Sequence, residues 1–181
     1  MQANKFLKFV IHKIIDDGGE HEPYLQSVFE QLPPQLEWIS QYHEWAVAQG
    51  YIYRGVRDII WGRIEDGNKD LSKAADMKAR IDKFFFYQLL DQMGVYEEEF
   101  GYVAANKAIQ DLSLYLSKVC SPSLLNWFNS VYFVNRAFRG YSKGQYSNVL
   151  CSFTKAFLLN PMHLGNRGVL SILFRSIFRK Q

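Results

Sequence analysis

Apolar residues recur at steps of three and four along almost the whole chain, which is the spacing of one face of an α-helix. The clearest stripe lies between residues 96 and 119 and consists of Phe100, Val103, Ala104, Ala108, Leu112, Tyr115, Leu116 and Val119. No alternation of apolar and polar residues is long enough to indicate a β-strand. The pattern therefore predicts an all-α protein of about seven or eight helices packed as antiparallel pairs.

Glycine and proline mark the expected ends of the N-terminal helices. A first helix over residues 4–16 is expected to stop at Gly18 and Gly19, and a second over residues 23–31 stops before Pro33. Residues 34–66 form either one long kinked helix or two helices joined near Gly50, because a glycine inside a helix costs about 1 kcal/mol.

Two further helices are predicted over residues 78–92 and 96–119, after a turn at the EDGN sequence of residues 65–68. The glutamates at 97–99 suit the positive end of a helix dipole, so they indicate the start of the second of these helices. A hydroxyl followed by proline at Ser121 and Pro122 indicates the start of another helix, which is expected to run to about Ser142.

The stretch GQYSNVLCSFTKAFLLNP at residues 144–161 has the spacing of a helical hairpin. Gly144 provides a tight turn, Tyr146 and Phe153 provide bulk, Ala156 allows close approach and Pro161 ends the unit. With Ala137 upstream, this spacing resembles the tetratricopeptide repeat, a 34-residue helix–turn–helix. The resemblance implies a right-handed array of helix pairs.

Residues 155–177 are similar to the C-terminal stretch of certain bacterial family-2 glycosyltransferases, and Asn166, Arg167 and Gly168 carry that likeness. Residues 24–68 also resemble the start of the helical region in those enzymes. The resemblance implies an accessory module, either a separate protein or the tail of a larger transferase, whose Arg167 or Arg175 would bind a phosphate or polyprenyl carrier. Asn166 is expected to cap the last helix.

Taken together, these patterns predict a single helical domain over residues 1–181. Its expected regions are two N-terminal helices (1–33), a first helical hairpin region (34–93), a bridging helix (94–120), a tetratricopeptide-like repeat (121–161) and a C-terminal capping helix (162–181).

The repeat resemblance also implies a groove along the first helix of the 130–161 unit. The partner-binding residues that we predict there are Val131, Val134, Arg136, Phe138, Arg139 and Tyr141. Because most of these side chains are apolar, we expect the groove either to bind an apolar segment of a partner or to be filled by another helix of the chain. The leading hypothesis is thus a non-catalytic module that binds a protein partner or a covalently linked catalytic domain.

Charge and composition narrow the class of partner. The chain has 21 lysine and arginine residues against 18 aspartate and glutamate residues, an excess too small to indicate a nucleic-acid-binding protein. Cys151 lies in an apolar helical pattern, where a buried, reduced thiol is expected, so we predict a cytoplasmic protein. Both terminal helices are basic and amphipathic, which leaves open a weak peripheral contact at the inner face of the membrane.

No cofactor, metal or catalytic residue is predicted. Asp66, Asn68 and Asp70 have the alternate spacing of a calcium loop, but Leu71 and Met77 occupy the positions where such a loop needs glycine and glutamate. A turn with polar capping groups explains these residues better. The histidines show no paired metal-ligand spacing, and neither cysteine lies near one in a catalytic pattern.

Overall fold

The structure, a computed structural model, describes residues 3–178, and within them every regular element is a helix. The α-helices are α1 (Ala3–Asp16), α2 (His21–Glu30), α3 (His43–Ile60), α4 (Ile64–Asp76), α5 (Lys83–Leu116), α6 (Pro122–Ser142), α7 (Tyr146–Leu159) and α8 (Arg167–Phe178). Two 3₁₀ segments, Pro34–Tyr42 and Pro161–Gly165, precede α3 and α8. The prediction of an all-α fold is confirmed, whereas the finer tetratricopeptide-like arrangement stays a prediction.

The helices form two compact units. The first unit consists of Met1–Ile81 together with Gln110–Val119, and the second consists of Asp82–Ile109 together with Cys120–Gln181. The long helix α5 contributes to both units, because the boundary between Ile109 and Gln110 falls within it.

Helix α3 is the centre of the first unit and packs against α1, α2 and α4. The sequence predicts one long kinked helix over residues 34–66 or two helices joined near Gly50. The structure instead has the 3₁₀ segment Pro34–Tyr42 followed by α3, which runs unbroken through Gly50 and Gly55. Each glycine is instead a contact point. A β-carbon on Gly50 would lie 2.1 Å from the buried His21 ring, and one on Gly55 would lie 2.9 Å from the carbonyl oxygen of Gly67 on α4.

The turn between α3 and α4 lies earlier than predicted. Gly62 has a φ of +80° and makes the reversal, whereas residues 65–68 belong to the first turn of α4. Glu65 and Asp66 are favourable there because the helix N-terminus is positive. The pairing of Gly55 with Gly67 and of Arg54 with Asp70 shows that the two helices run antiparallel.

Helix α5 changes direction at a different residue from the one expected. The predicted gap between residues 92 and 96 is helical, and the break falls at Gly101, where φ is 82° and ψ is 174°. Only glycine adopts this backbone region without strain. The glutamates at 97–99 therefore lie at the end of the first half of α5, immediately before the break, rather than at a helix start.

The second unit is built on the antiparallel pair α6 and α7, with α8 packed against both. The ring centroids of Phe138 and Phe153 lie 6.2 Å apart, and the turn between the helices contains Gly144 at a φ of 71°. The expected cap of α8 is confirmed. The Asn166 Oδ1 accepts hydrogen bonds from the backbone amides of Gly168 at 2.9 Å and Val169 at 3.3 Å.

The expectation about the cysteines is not met. Cys151 is exposed on α7 and Cys120 is the buried cysteine, so the expectation of a buried Cys151 is wrong because its helix turns that side to solvent. Within residues 3–178, none of the helices combines the length and the apolar character that a membrane crossing requires.

Candidate interaction groove

A cluster of charged side chains holds α5 against α6 in the second unit. Glu97 of α5 faces two arginines that lie one turn apart on α6: its Oε1 is 3.0 Å from Arg136 Nε, and its Oε2 accepts a hydrogen bond from Arg139 at 2.7 Å. The hydroxyl of Tyr132, one turn before Arg136, donates a third bond to Glu97 at 3.2 Å. One carboxylate thus receives three donors from one face of α6.

Burial makes this cluster structurally important. Only 4% of the Arg136 side chain is exposed, and its guanidinium lies 3.4 Å from the ring centroid of Tyr102, just after the break in α5. Burial raises the pKa of Tyr132 well above its usual value of 10, and the nearby Glu97 charge adds to this effect. A buried charge is tolerated when it is paired in this way, and removal of its partner is strongly destabilising.

A cavity of about 290 Å³ lies beside the cluster, where the break in α5 faces the C-terminal end of α6 and the first turn of α7. Its polar lining includes Arg136, Arg139, Lys143 and Asn148. Lys143 is also paired with Glu98 at 3.1 Å, but both side chains are exposed and such pairs contribute little. The charged side chains that line this cavity therefore already have ion-pair partners.

A second, more open cavity of about 390 Å³ runs along the same two helices, and we call it the α5–α6 groove. It is lined by Leu90, Asp91, Gly94, Val95, Glu98, Asn135, Phe138 and Arg139. Leu90, Val95 and Phe138 make its floor apolar, while Asp91 and Glu98 place two carboxylates at its edge. An apolar concavity with a few polar groups is the usual form of a recognition site.

The structure separates the six predicted partner-binding residues into three pairs. Phe138 and Arg139 line the α5–α6 groove, whereas Val134 and Arg136 are buried between helices. Val131 and Tyr141 are half-buried and line neither cavity; the Tyr141 ring packs against Tyr146 of α7. Arg136 does not line the α5–α6 groove, and it contributes to the groove only indirectly, through its ion pair with Glu97 on α5.

Of the residues that carry the glycosyltransferase resemblance, Asn166 caps α8, and Arg167 and Gly168 lie exposed in its first turn.

The sequence reasoning did not find Glu97 or the α5 side of the groove. The local pattern of the glutamates at 97–99 indicates only the start of a helix. Two arginines at positions 136 and 139 occupy one helix face without a nearby acidic residue in sequence, and this was the available signal for a carboxylate brought from elsewhere.

The first unit contains a separate polar cluster. Arg54 binds Asp70 through two hydrogen bonds at 2.5 and 3.0 Å, and the Tyr51 hydroxyl donates to Glu22. Burial, followed by the bond to Glu22, raises the pKa of Tyr51 to about 12. These contacts join α2, α3 and α4, so the cluster is explained by its structural role.

Within the described part of the chain, no three histidine, cysteine, aspartate or glutamate side chains are grouped closely enough to hold a metal ion. No known family, curated protein or solved structure matches the chain. The resemblance to tetratricopeptide repeats and to glycosyltransferase tails therefore stays a prediction.

Proposed function

We propose that this chain is a non-catalytic protein-interaction module whose α5–α6 groove receives part of a partner protein. The observation that carries the proposal is the open groove itself, with its apolar floor between two helices that the Glu97 cluster holds together. Val95 is 64% exposed within it, which leaves apolar surface that a partner side chain can cover.

The groove favours a particular partner chemistry. Its volume suits one or two side chains of a docked segment, and the Asp91 carboxylate would attract a cation, whereas Glu98 is already paired with Lys143. We therefore expect the partner to present an apolar residue next to a lysine or arginine. The resemblance to family-2 glycosyltransferase tails makes a transferase catalytic domain the first partner to test, whether separate or covalently linked.

A pull-down from a bacterial extract tests this function with a matched pair of variants. Val95→Glu places a charge in the groove, and Leu114→Glu places the same charge at a site that is 65% exposed and lines neither cavity. Both positions are exposed, so both variants should keep the circular dichroism spectrum of the wild type. We expect a partner protein to be captured by the wild type and by Leu114→Glu but not by Val95→Glu.

Phe138→Glu provides a second variant at the groove floor. Equal capture by all folded variants would show that the groove is not the binding surface. Recovery of a transferase catalytic domain would identify the chain as an accessory module of such an enzyme.

A further inference from the structure

The C-terminal part of the chain carries charge of one sign. Residues 120–181 contain eight lysine and arginine residues and no aspartate or glutamate. Three of these cations, Arg136, Arg139 and Lys143, are paired with the glutamates of α5. The others are Lys155 on α7, Arg167 and Arg175 on α8, and Arg179 and Lys180, which follow α8 in the sequence.

Helix α8 carries apolar residues on both its buried and its exposed face. Val169 and Ser176 are fully buried on the face that packs against the rest of the second unit. On the other side Phe174 is 56% exposed and Phe178 is 76% exposed, one turn apart and therefore adjacent on the helix surface. A helix that only covered a core would present polar residues to solvent at these positions.

Arginines accompany these exposed rings. Arg167 lies on the same stripe as Phe174 and Phe178, and Arg175 lies beside them; both arginines are exposed. No ion pair involves Arg167 or Arg175 within residues 3–178. The sequence then continues directly from Phe178 with Arg179 and Lys180, so the same end of the chain contains two more cations.

We propose that the exposed face of α8 docks on a membrane surface rich in anionic lipids. Phe174 and Phe178 would lie in the interfacial layer, and Arg167 and Arg175 would lie at the headgroups. A lipid surface is complementary to this face in both respects, because it offers uniform negative charge and an apolar layer beneath it.

The structure also distinguishes α8 from the other terminal helix. Phe9 of α1 is 69% exposed, but α1 ends at Asp16, is followed by Asp17 and belongs to the unit that carries most of the acidic residues. We therefore assign membrane docking to α8 alone. Phe9 is a matched control for Phe178, since each is an exposed phenylalanine on a terminal helix.

Flotation of the full chain with lipid vesicles tests the proposal. Wild type is expected to bind vesicles of phosphatidylcholine with 30% phosphatidylserine, and to bind poorly to pure phosphatidylcholine or in high salt. Phe178→Ser should lower the partition coefficient about tenfold through lost apolar burial. Arg175→Gln should lower it about fivefold, and Phe9→Ser should leave it unchanged.

Several results would overturn the inference. They are no binding of wild type to phosphatidylserine vesicles, an equal loss in Phe9→Ser, or retention of full binding in the double variant Phe174→Ser/Phe178→Ser. Binding that poly-glutamate abolishes but that the phenylalanine variants do not weaken would instead indicate an acidic protein partner. The groove variant Val95→Glu should bind vesicles normally, so this test is independent of the proposed groove function.

Discussion

Replacement of Glu97 by glutamine should destabilise the second unit far more than the same change at its neighbour Glu98. In the native protein the Glu97 carboxylate is the ion-pair partner of Arg136, of which only 4% is exposed, and it also accepts bonds from Arg139 and Tyr132. Glutamine has nearly the same shape but no charge. The substitution therefore tests the charge interaction with little change in packing.

The magnitude follows from the burial of Arg136. A buried charge that loses its partner costs about 3–5 kcal/mol, and we expect about 3 kcal/mol because the glutamine oxygen can still accept one hydrogen bond. Glu98→Gln removes an ion pair with Lys143 in which both side chains are half exposed. Such a pair contributes at most about 1 kcal/mol, so the two variants should differ clearly.

Urea unfolding followed by circular dichroism measures the difference, and hydrogen–deuterium exchange shows where it arises. Faster exchange in α5 and α6 of Glu97→Gln is expected, with the helices of the first unit unchanged. Arg136→Met then completes a double-mutant cycle. The double variant should be more stable than the sum of the single changes predicts by about 1–3 kcal/mol, since methionine removes the unpaired charge.

Two outcomes would refute the reasoning. One is a free energy of unfolding for Glu97→Gln within about 0.5 kcal/mol of that for Glu98→Gln. The other is strict additivity in the cycle, which would mean that Arg136 does not depend on Glu97.

Three further changes test other parts of the structure by thermal or urea unfolding. Gly67→Ala should cost about 1–3 kcal/mol, because its β-carbon would lie 2.6 Å from the carbonyl oxygen of Gly55; Gly165→Ala, with open space around it, should be neutral. Gly101→Ala should cost about 1–3 kcal/mol, because a φ of 82° with a ψ of 174° is a backbone region that only glycine adopts without strain, and Gly101→Asn should cost as much. Burial, with a smaller effect of a nearby lysine, lowers the pKa of His12 to about 4, so the unfolded chain binds a proton below pH 6.5 that the folded chain does not. Wild type should therefore lose about 2–3 kcal/mol between pH 7 and pH 4 through this residue, and His12→Phe should show a shallower pH dependence.

The helices were predictable because their apolar stripes are local, but the role of the glycines was not. The sequence predicts a kink or a join near Gly50 because each glycine inside a helix, Gly50 and Gly55 included, costs about 1 kcal/mol. That cost is offset by contacts with His21 and Gly67 on other helices, which no local pattern reveals. Gly101 is the reverse case, since its place inside a strong apolar stripe concealed the positive φ that redirects α5.

The candidate site was predictable from one side only. The resemblance of the α6 spacing to a tetratricopeptide repeat implies a groove that contains Phe138 and Arg139, and both residues line the α5–α6 groove. The same spacing could not show that Arg136 is buried, because its burial depends on a carboxylate and an aromatic ring supplied by α5. The facing wall belongs to α5, but the sequence pattern assigns Leu90 to the first helical hairpin region (34–93) and Val95 to the bridging region (94–120).

The Glu97 cluster and the groove are parts of one arrangement, and this has a consequence for binding. Arg139 belongs to both, since it donates to Glu97 and lines the groove, while Glu97 itself does not line it. Loss of the Glu97 charge should therefore free Arg139 and loosen α5 against α6 without any direct contact with the partner. If the groove is the binding surface, Glu97→Gln should weaken partner capture under conditions where the protein remains folded. Vesicle binding through α8 should not change, because Phe174 and Phe178 make no contribution to the groove.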